Sequence, residues 1–169
     1  MNYIINVFNM LRLLFGMPNF ERRQALKAPT LGWWSPPTNL NRPRKGTVGS
    51  AGLDVRASED VTLLPGIPTS IRTDLFFTIP EGYNLEVRGR SGLAFNYHVL
   101  AFNGTIDDDY TGELKIMLVN HGTEPFWIRE GAYVAQLILH KTVPYHLVLN
   151  THRPAPTAHL GFGSTDTGA

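Results

Sequence analysis

The sequence predicts an all-β domain, a sandwich or barrel, on three observations. From Ser50 onward, short apolar runs alternate with Gly, Pro, Asn and Asp, the punctuation of strands joined by turns. Leu114, Ile116 and Leu118 recur at a period of two, which gives a strand one buried face. No convincing helical window lies between residues 50 and 150, and Gly 16 and Pro 12 exceed ordinary usage, as turn-rich β proteins require.

The chain divides into an N-terminal extension over residues 1–40, a β domain over 41–150 and a C-terminal tail over 151–169. In the extension, Ile4, Val7, Leu11 and Leu14 fall at roughly helical spacing, so a short amphipathic helix is predicted. The extension lacks the basic start and small-residue cleavage site of a secretory signal. Arg12, Arg22 and Arg23 keep a mitochondrial presequence as a secondary alternative to an extension that docks on the main domain or on a neighbouring subunit. Residues 29–45 are proline-rich, with Trp33 and Trp34 beside Pro36 and Pro37, and read as a connector with room for a short strand. Arg42, Arg44 and Lys45 read as a solvated basic surface.

Within the β domain, an apolar run over 61–64 stops at Pro65-Gly66, and one over 71–79 stops at Pro80. Further strands are predicted over 83–87, 99–102, 114–120, 126–128 and 133–139. Pro, Gly, Ser and Thr enrich the C-terminal part, which reads as a mobile tail.

At 169 residues the chain has the length of one domain with a real core. A net charge of +1, with 17% charged residues, gives no electrostatic reason to expect nucleic acid or an anionic membrane as partner. The absence of cysteine excludes disulfides, thiolate catalysis and Cys-ligated zinc, and fits a reducing, cytoplasmic setting. His98, His121, His140, His146 and His152 show no metal-ligand spacing.

Chemistry concentrates in five patches. Residues 49–55 (GSAGLDV) place Asp54 at a strand start after a glycine-rich turn. Residues 89–95 (GRSGLAF) supply a cation, a hydroxyl and glycine amides, with the wrong spacing for a hydrolase nucleophile elbow. Residues 104–112 (GTIDDDYTG) set carboxylates and a tyrosine between glycines, with Asp107 after the β-branched Ile106 at a strand end facing a cleft. Alone, this segment is equally a polar hairpin tip with solvated acids. Residues 131–137 (GAYVAQL) put Gln136 in an apolar strand, and residues 161–165 (GFGST) set a phenylalanine between glycines, followed by hydroxyls.

The patches complement one another. Arg90, Ser91, Ser164, Thr165 and glycine amides suit phosphate oxygens. Asp54 and Asp107 suit a hard divalent cation and a water nucleophile, and Tyr110 and Phe162 suit a sugar and a base. Together they describe a nucleoside triphosphate site with neither a Walker loop nor a Rossmann fingerprint.

In order and spacing, the five patches resemble the motifs of the trimeric deoxyuridine triphosphatase (dUTPase) family, over about Pro43 to Thr165. The resemblance implies a jelly-roll (β-clip) subunit, a homotrimer with shared active sites, and Mg²⁺-dependent hydrolysis of dUTP to dUMP and pyrophosphate. It implies Asp107 as general base for water attacking the α-phosphorus and Tyr110 packed under the deoxyribose. The backbone of Ala101, Phe102, Asn103 and Gly104 would read the uracil edge, and a cytosine there would leave buried polar groups unpaired. Arg90, Ser91, Gly92 and Gln136 would serve the phosphates, and Asp54 would hold waters on the Mg²⁺. Phe162 would stack over the uracil as the tail closes, with Gly163, Ser164 and Thr165 along the γ-phosphate.

The chain departs from the family pattern in places. Gly89 stands where proline is usual, and Ala132 and Tyr133 replace an acid and an arginine, removing an ionic contact. The usual arginine before the fifth-motif aromatic is missing, with Arg153 and His159 nearby, and Asp166 replaces a common glycine. A dCTP deaminase is disfavoured because Met117 stands about where that family carries a glutamate, and Glu113 comes too early. A non-catalytic interaction module remains the alternative of a different class.

Deleting residues 161–169 is expected to cut dUTP turnover strongly while leaving the assembly state unchanged, measured as pyrophosphate release beside mass in solution; an undiminished rate would show that the tail takes no part.

Overall fold

The computed structural model describes residues 28–39, 41–153 and 155. The predicted N-terminal helix and the tail residues Phe162, Gly163, Ser164 and Thr165 lie outside them. Strand is the predominant regular structure among the described residues. In chain order they form β1 (Gly32–Trp34), β2 (Arg44–Lys45), β3 (Leu53–Arg56), β4 (Val61–Leu63), β5 (Thr69–Arg72), β6 (Phe76–Thr78) and β7 (Tyr83–Arg88). A short helix, α1 (Ser91–Tyr97), precedes β8 (Val99–Ala101), β9 (Thr105–Ile106), β10 (Lys115–Asn120), β11 (Phe126–Ile128) and β12 (Tyr133–Lys141).

A five-stranded sheet, ordered β2-β3-β12-β7-β9, carries Asp54 on β3 and Gln136 on β12, and Asp107 directly follows its edge strand β9. A three-stranded sheet, β5-β10-β8, and the pairs β1-β6 and β11-β4 complete the all-β architecture. The pairings within these sheets are antiparallel. The core lies between the sheets and contains Val55, Leu63, Ile71, Leu85, Val87, Ile116, Leu118, Val134 and Leu137. Strand β10 shows the alternation directly: Ile116 and Leu118 are buried while Lys115 and Met117 face outward. Each fully buried Leu or Ile contributes about 1.5–3 kcal/mol of transfer free energy. No helix among the described residues is long and apolar enough to cross a membrane.

Two elements differ from the sequence expectation. Residues 91–97 are helical, whereas no helix was expected between 50 and 150. The helix buries none of its residues, so it carries no apolar stripe for periodicity to detect. Its stop is equally unmarked: His98 takes the left-handed conformation (φ 56°) that a glycine usually signals, and its amide donates back to Ala94. The apolar run over 71–79 is two strands rather than one. Asp74 breaks it at φ 53°, a left-handed conformation that aspartate tolerates better than most residues. The buried Thr73 hydroxyl donates to the Leu114 carbonyl at 2.6 Å and accepts from the Leu75 amide at 3.2 Å, satisfying the backbone at the break.

Asn120, buried at the end of β10, is the other polar residue in the core. Its amide donates to the carbonyls of Leu63 (3.1 Å) and Glu124 (2.7 Å), and its side-chain oxygen accepts from the Gly122 amide (2.8 Å). Asn120→Leu is expected to strand these partners and destabilise the fold by roughly 3 kcal/mol. Urea denaturation measures this, and a loss under 1 kcal/mol would mean that the turn finds other partners.

Candidate active site

The register of β12 brings together one group of the candidate residues. Gln136 sits opposite Asp54 of β3 on one side and Arg88 of β7 on the other. Cross-strand partners share a face, so the three side chains stand together on the outer face of the sheet. The Gln136 amide donates to Asp54 Oδ1 at 3.1 Å, and Arg90 Nε lies 3.7 Å from the same oxygen. Gly52 permits this approach: a Cβ there would come within 3.1 Å of Gln136 Oε1. Arg88 is engaged elsewhere, donating to both oxygens of Glu86 at 3.0 Å. These bonds hold the Glu86 carboxyl below its ordinary pKa, and His140 Nε2, 2.7 Å away, adds to the effect.

Arg90 precedes α1 with extended backbone, and Ser91 and Gly92 open the helix. The first-turn amides of a helix have no acceptor within it, so the amides that follow Arg90 in the chain are further available donors. Arg90 also donates to the Tyr133 carbonyl at 3.4 Å, and its guanidinium lies 5.0 Å from the centre of the Tyr133 ring.

Asp107 and Tyr110 belong to a second region. Asp107 follows β9 directly, and both residues line an open cavity of about 510 Å³ with Ile106, Gly112 and Lys115. The Tyr110 hydroxyl donates to the Glu113 carbonyl at 2.9 Å, which folds the ring over Gly112. Ala101 ends β8, the Phe102 amide donates to Met117, and the Gly104 carbonyl accepts from Val87. Ala101, Phe102, Asn103 and Gly104 thus form the turn that carries the chain from the three-stranded to the five-stranded sheet.

These two regions do not meet within the chain. Ile106 pairs with Leu85 near the start of β7, whereas Gln136 pairs with Arg88 at its end, on the opposite neighbour of that strand. About four residues of strand and two strand spacings, on the order of 15 Å, separate Asp107 from Gln136.

Arg56 and Tyr133 complete the first region, although sequence reasoning singled out neither as a site residue. Arg56 Nη2 donates to the Tyr133 hydroxyl at 2.6 Å, and its guanidinium lies 4.2 Å from the ring centre. The signal for Arg56 was available: it stands two residues after Asp54 on one strand, and so on the same face. Arg44, expected as plain surface, is exposed but pairs with Asp54 across β2 and reaches within 5.8 Å of the same ring. Among the described residues, no group of three or more His, Cys, Asp or Glu side chains could hold a metal ion directly.

The dUTPase family model matches residues 38–168. The chain belongs to the dUTPase family. A deoxyuridine 5'-triphosphate nucleotidohydrolase of Anaeromyxobacter sp. (strain Fw109-5) is 43% identical over 83% of this chain and 96% of its own length. The protein of the same name from Zymomonas mobilis is 42% identical over 75% of this chain and 89% of its own. Among solved structures, the dUTPase from phage phi11 of S. aureus superimposes with a TM-score of 0.68 at 26% identity, covering 75% of this chain and 99% of that one. A variant of the phage 80alpha dUTPase gives 0.72 at 26% identity, covering 80% and 98%. The all-β architecture is therefore the dUTPase jelly roll, and the short α1 and the divided strand β5/β6 are details within it.

The fold of Tyr110 over Gly112 is testable without substrate. A Cβ on Gly112 would lie 2.5 Å from the Tyr110 hydroxyl and 2.7 Å from Cζ. Gly112→Ala is expected to cost about 1–2 kcal/mol of stability, and adding Tyr110→Ala should remove most of that cost. Additive losses in the double-mutant cycle would show that the two residues are independent.

Proposed function

We infer that the chain is a dUTP diphosphatase, hydrolysing dUTP to dUMP and pyrophosphate, and that each of its sites takes parts from more than one subunit of a homotrimer. The observation that carries the reading is the division of the motif residues between the two ends of β7. Asp54, Gln136 and Arg90 gather at one end, while Asp107 and Tyr110 line a cavity at the other. The two groups lie on the order of 15 Å apart, which supports a reading in which the cavity of one copy faces the arginine end of another.

In this reading Asp107 orients a water molecule toward the α-phosphorus and takes its proton. The water oxygen bonds to phosphorus as the α–β bridging bond breaks, and pyrophosphate leaves with the bond's electrons. Carboxylates are weak bases, so Asp107 contributes through position and orientation. Tyr110 packs against the deoxyribose, and the backbone of Ala101, Phe102, Asn103 and Gly104 pairs with the uracil edge. Arg90, Gln136 and the first amides of α1 neutralise the phosphate chain. Phe162, Gly163, Ser164 and Thr165 cover the bound nucleotide.

A variant of the phage phi11 enzyme is described with a coordinated structural Mg(II) ion. The donor set here suits Mg²⁺ only through water. Asp54 is a single carboxylate already shared with Gln136 and Arg90, and Mg²⁺ keeps several of its waters while taking phosphate oxygens. When bound, Mg²⁺ supplies charge neutralisation for the leaving pyrophosphate, with Asp54 holding its waters.

Asp107→Asn is expected to lower kcat about 1,000-fold or more while dUTP binding persists, because the amide keeps the shape but loses the basic oxygen. Pyrophosphate release and equilibrium binding of a non-hydrolysable dUTP analogue measure the two quantities. Turnover near the wild-type rate would remove Asp107 from the base role.

A further inference from the structure

Strand β12 carries a β-bulge near its start. Tyr133 pairs with Arg56 and Ala135 with Val55, so Val134 is an extra residue. Strict alternation back from Gln136 would put Val134 on the site face and turn Tyr133 toward the core. The bulge reverses this: Val134 is buried, and the Tyr133 ring stands on the face of Gln136 and Asp54.

The ring meets three guanidinium groups there. Arg56 lies 4.2 Å, Arg90 5.0 Å and Arg44 5.8 Å from its centre, within reach of the electron-rich face. The hydroxyl accepts from Arg56 and the carbonyl from Arg90. Asp54 is the carboxylate paired with this group, through Arg90. Arg56 Nε is buried with no hydrogen-bond acceptor among the described residues. Three cations gathered around one ring, with Asp54 paired to Arg90 alone among them, repel one another, and a polyanion relieves that repulsion.

We propose that Tyr133 is a positioning residue: its ring and hydroxyl hold Arg56 and Arg90 in a single cluster that receives the phosphate chain of the nucleotide. The proposal rests on the reading of Arg90 as a phosphate contact and adds Arg56 to it. A tyrosine at this point organises the arginines without neutralising them, as an acid would. It also spares them the further repulsion that another cation would bring.

The test uses the full-length protein and three ligands: dUTP, inorganic tripolyphosphate and deoxyuridine. Tyr133→Leu is expected to raise the KM for dUTP and the inhibition constant of tripolyphosphate roughly tenfold, with kcat within about threefold of wild type. Tyr133→Phe keeps the ring and should recover most of that loss. Deoxyuridine, which has no phosphate, should inhibit all three proteins equally. A wild-type KM and tripolyphosphate constant in folded Tyr133→Leu would overturn the positioning role while leaving the dUTP diphosphatase reading intact. Failure of the wild-type protein to turn over dUTP would overturn both. If Tyr133→Leu does not fold, the wild-type protein decides. The Nε–H resonances of Arg56 and Arg90 should carry ring-current shifts and move together on titration with tripolyphosphate. Unshifted resonances, or resonances indifferent to the anion, would refute the proposal.

Discussion

The seating of β12 between β3 and β7 is the constraint on which the rest of this molecule depends. Those two ladders fix Gln136 against Asp54 and Arg88, bury Leu137 and Val134 in the core, and bring Tyr133 to Arg56. A strand flanked on both sides has no freedom to slip. A shift of one residue would exchange its buried and exposed faces and bury Gln136 in place of Leu137. The bulge at Val134 is the one place where alternation is broken. There it turns an aromatic ring toward three arginines.

Charge is distributed along the sheet with comparable economy. Glu86 and Arg88 satisfy each other in the middle of the outer face, with His140 beside them. This leaves Arg90, Arg56 and Arg44 as the cations at the Asp54 end, where one carboxylate does not balance them. The far end of β7 holds the opposite chemistry: Asp107, Asp109 and Tyr110 around an open cavity. The two ends of β7 therefore differ in the sign of the charge they present.

Much of this was legible in the residues themselves. The strands announce themselves through period two and through Pro-Gly punctuation, as at Pro65-Gly66 and along Leu114, Ile116 and Leu118. Asp54, Arg90, Asp107, Tyr110 and Gln136 stand out because each is a polar residue set among glycines or apolar strand positions, where packing gives no reason for it. Other features left weaker traces. Helix α1 lies on the surface with no buried stripe, and Asp74 divides an apolar run through a backbone angle that composition does not reveal. Tyr133 reads from sequence as the loss of an ionic contact. In space it carries hydrogen bonds and cation–π contacts from arginines 77 and 43 residues away.

Local patterning therefore determined the all-β class, most strand positions and the chemical inventory, because period, turn residues and motif spacing are properties of neighbours along the chain. Tertiary structure alone decided which of those groups meet. Register across β3, β12, β7 and β9 is set by burial of a shared core, an energy summed over residues far apart in sequence. That summed burial joins Asp54 to Gln136, gathers the arginines around Tyr133, and keeps Asp107 at the opposite end of β7 from them.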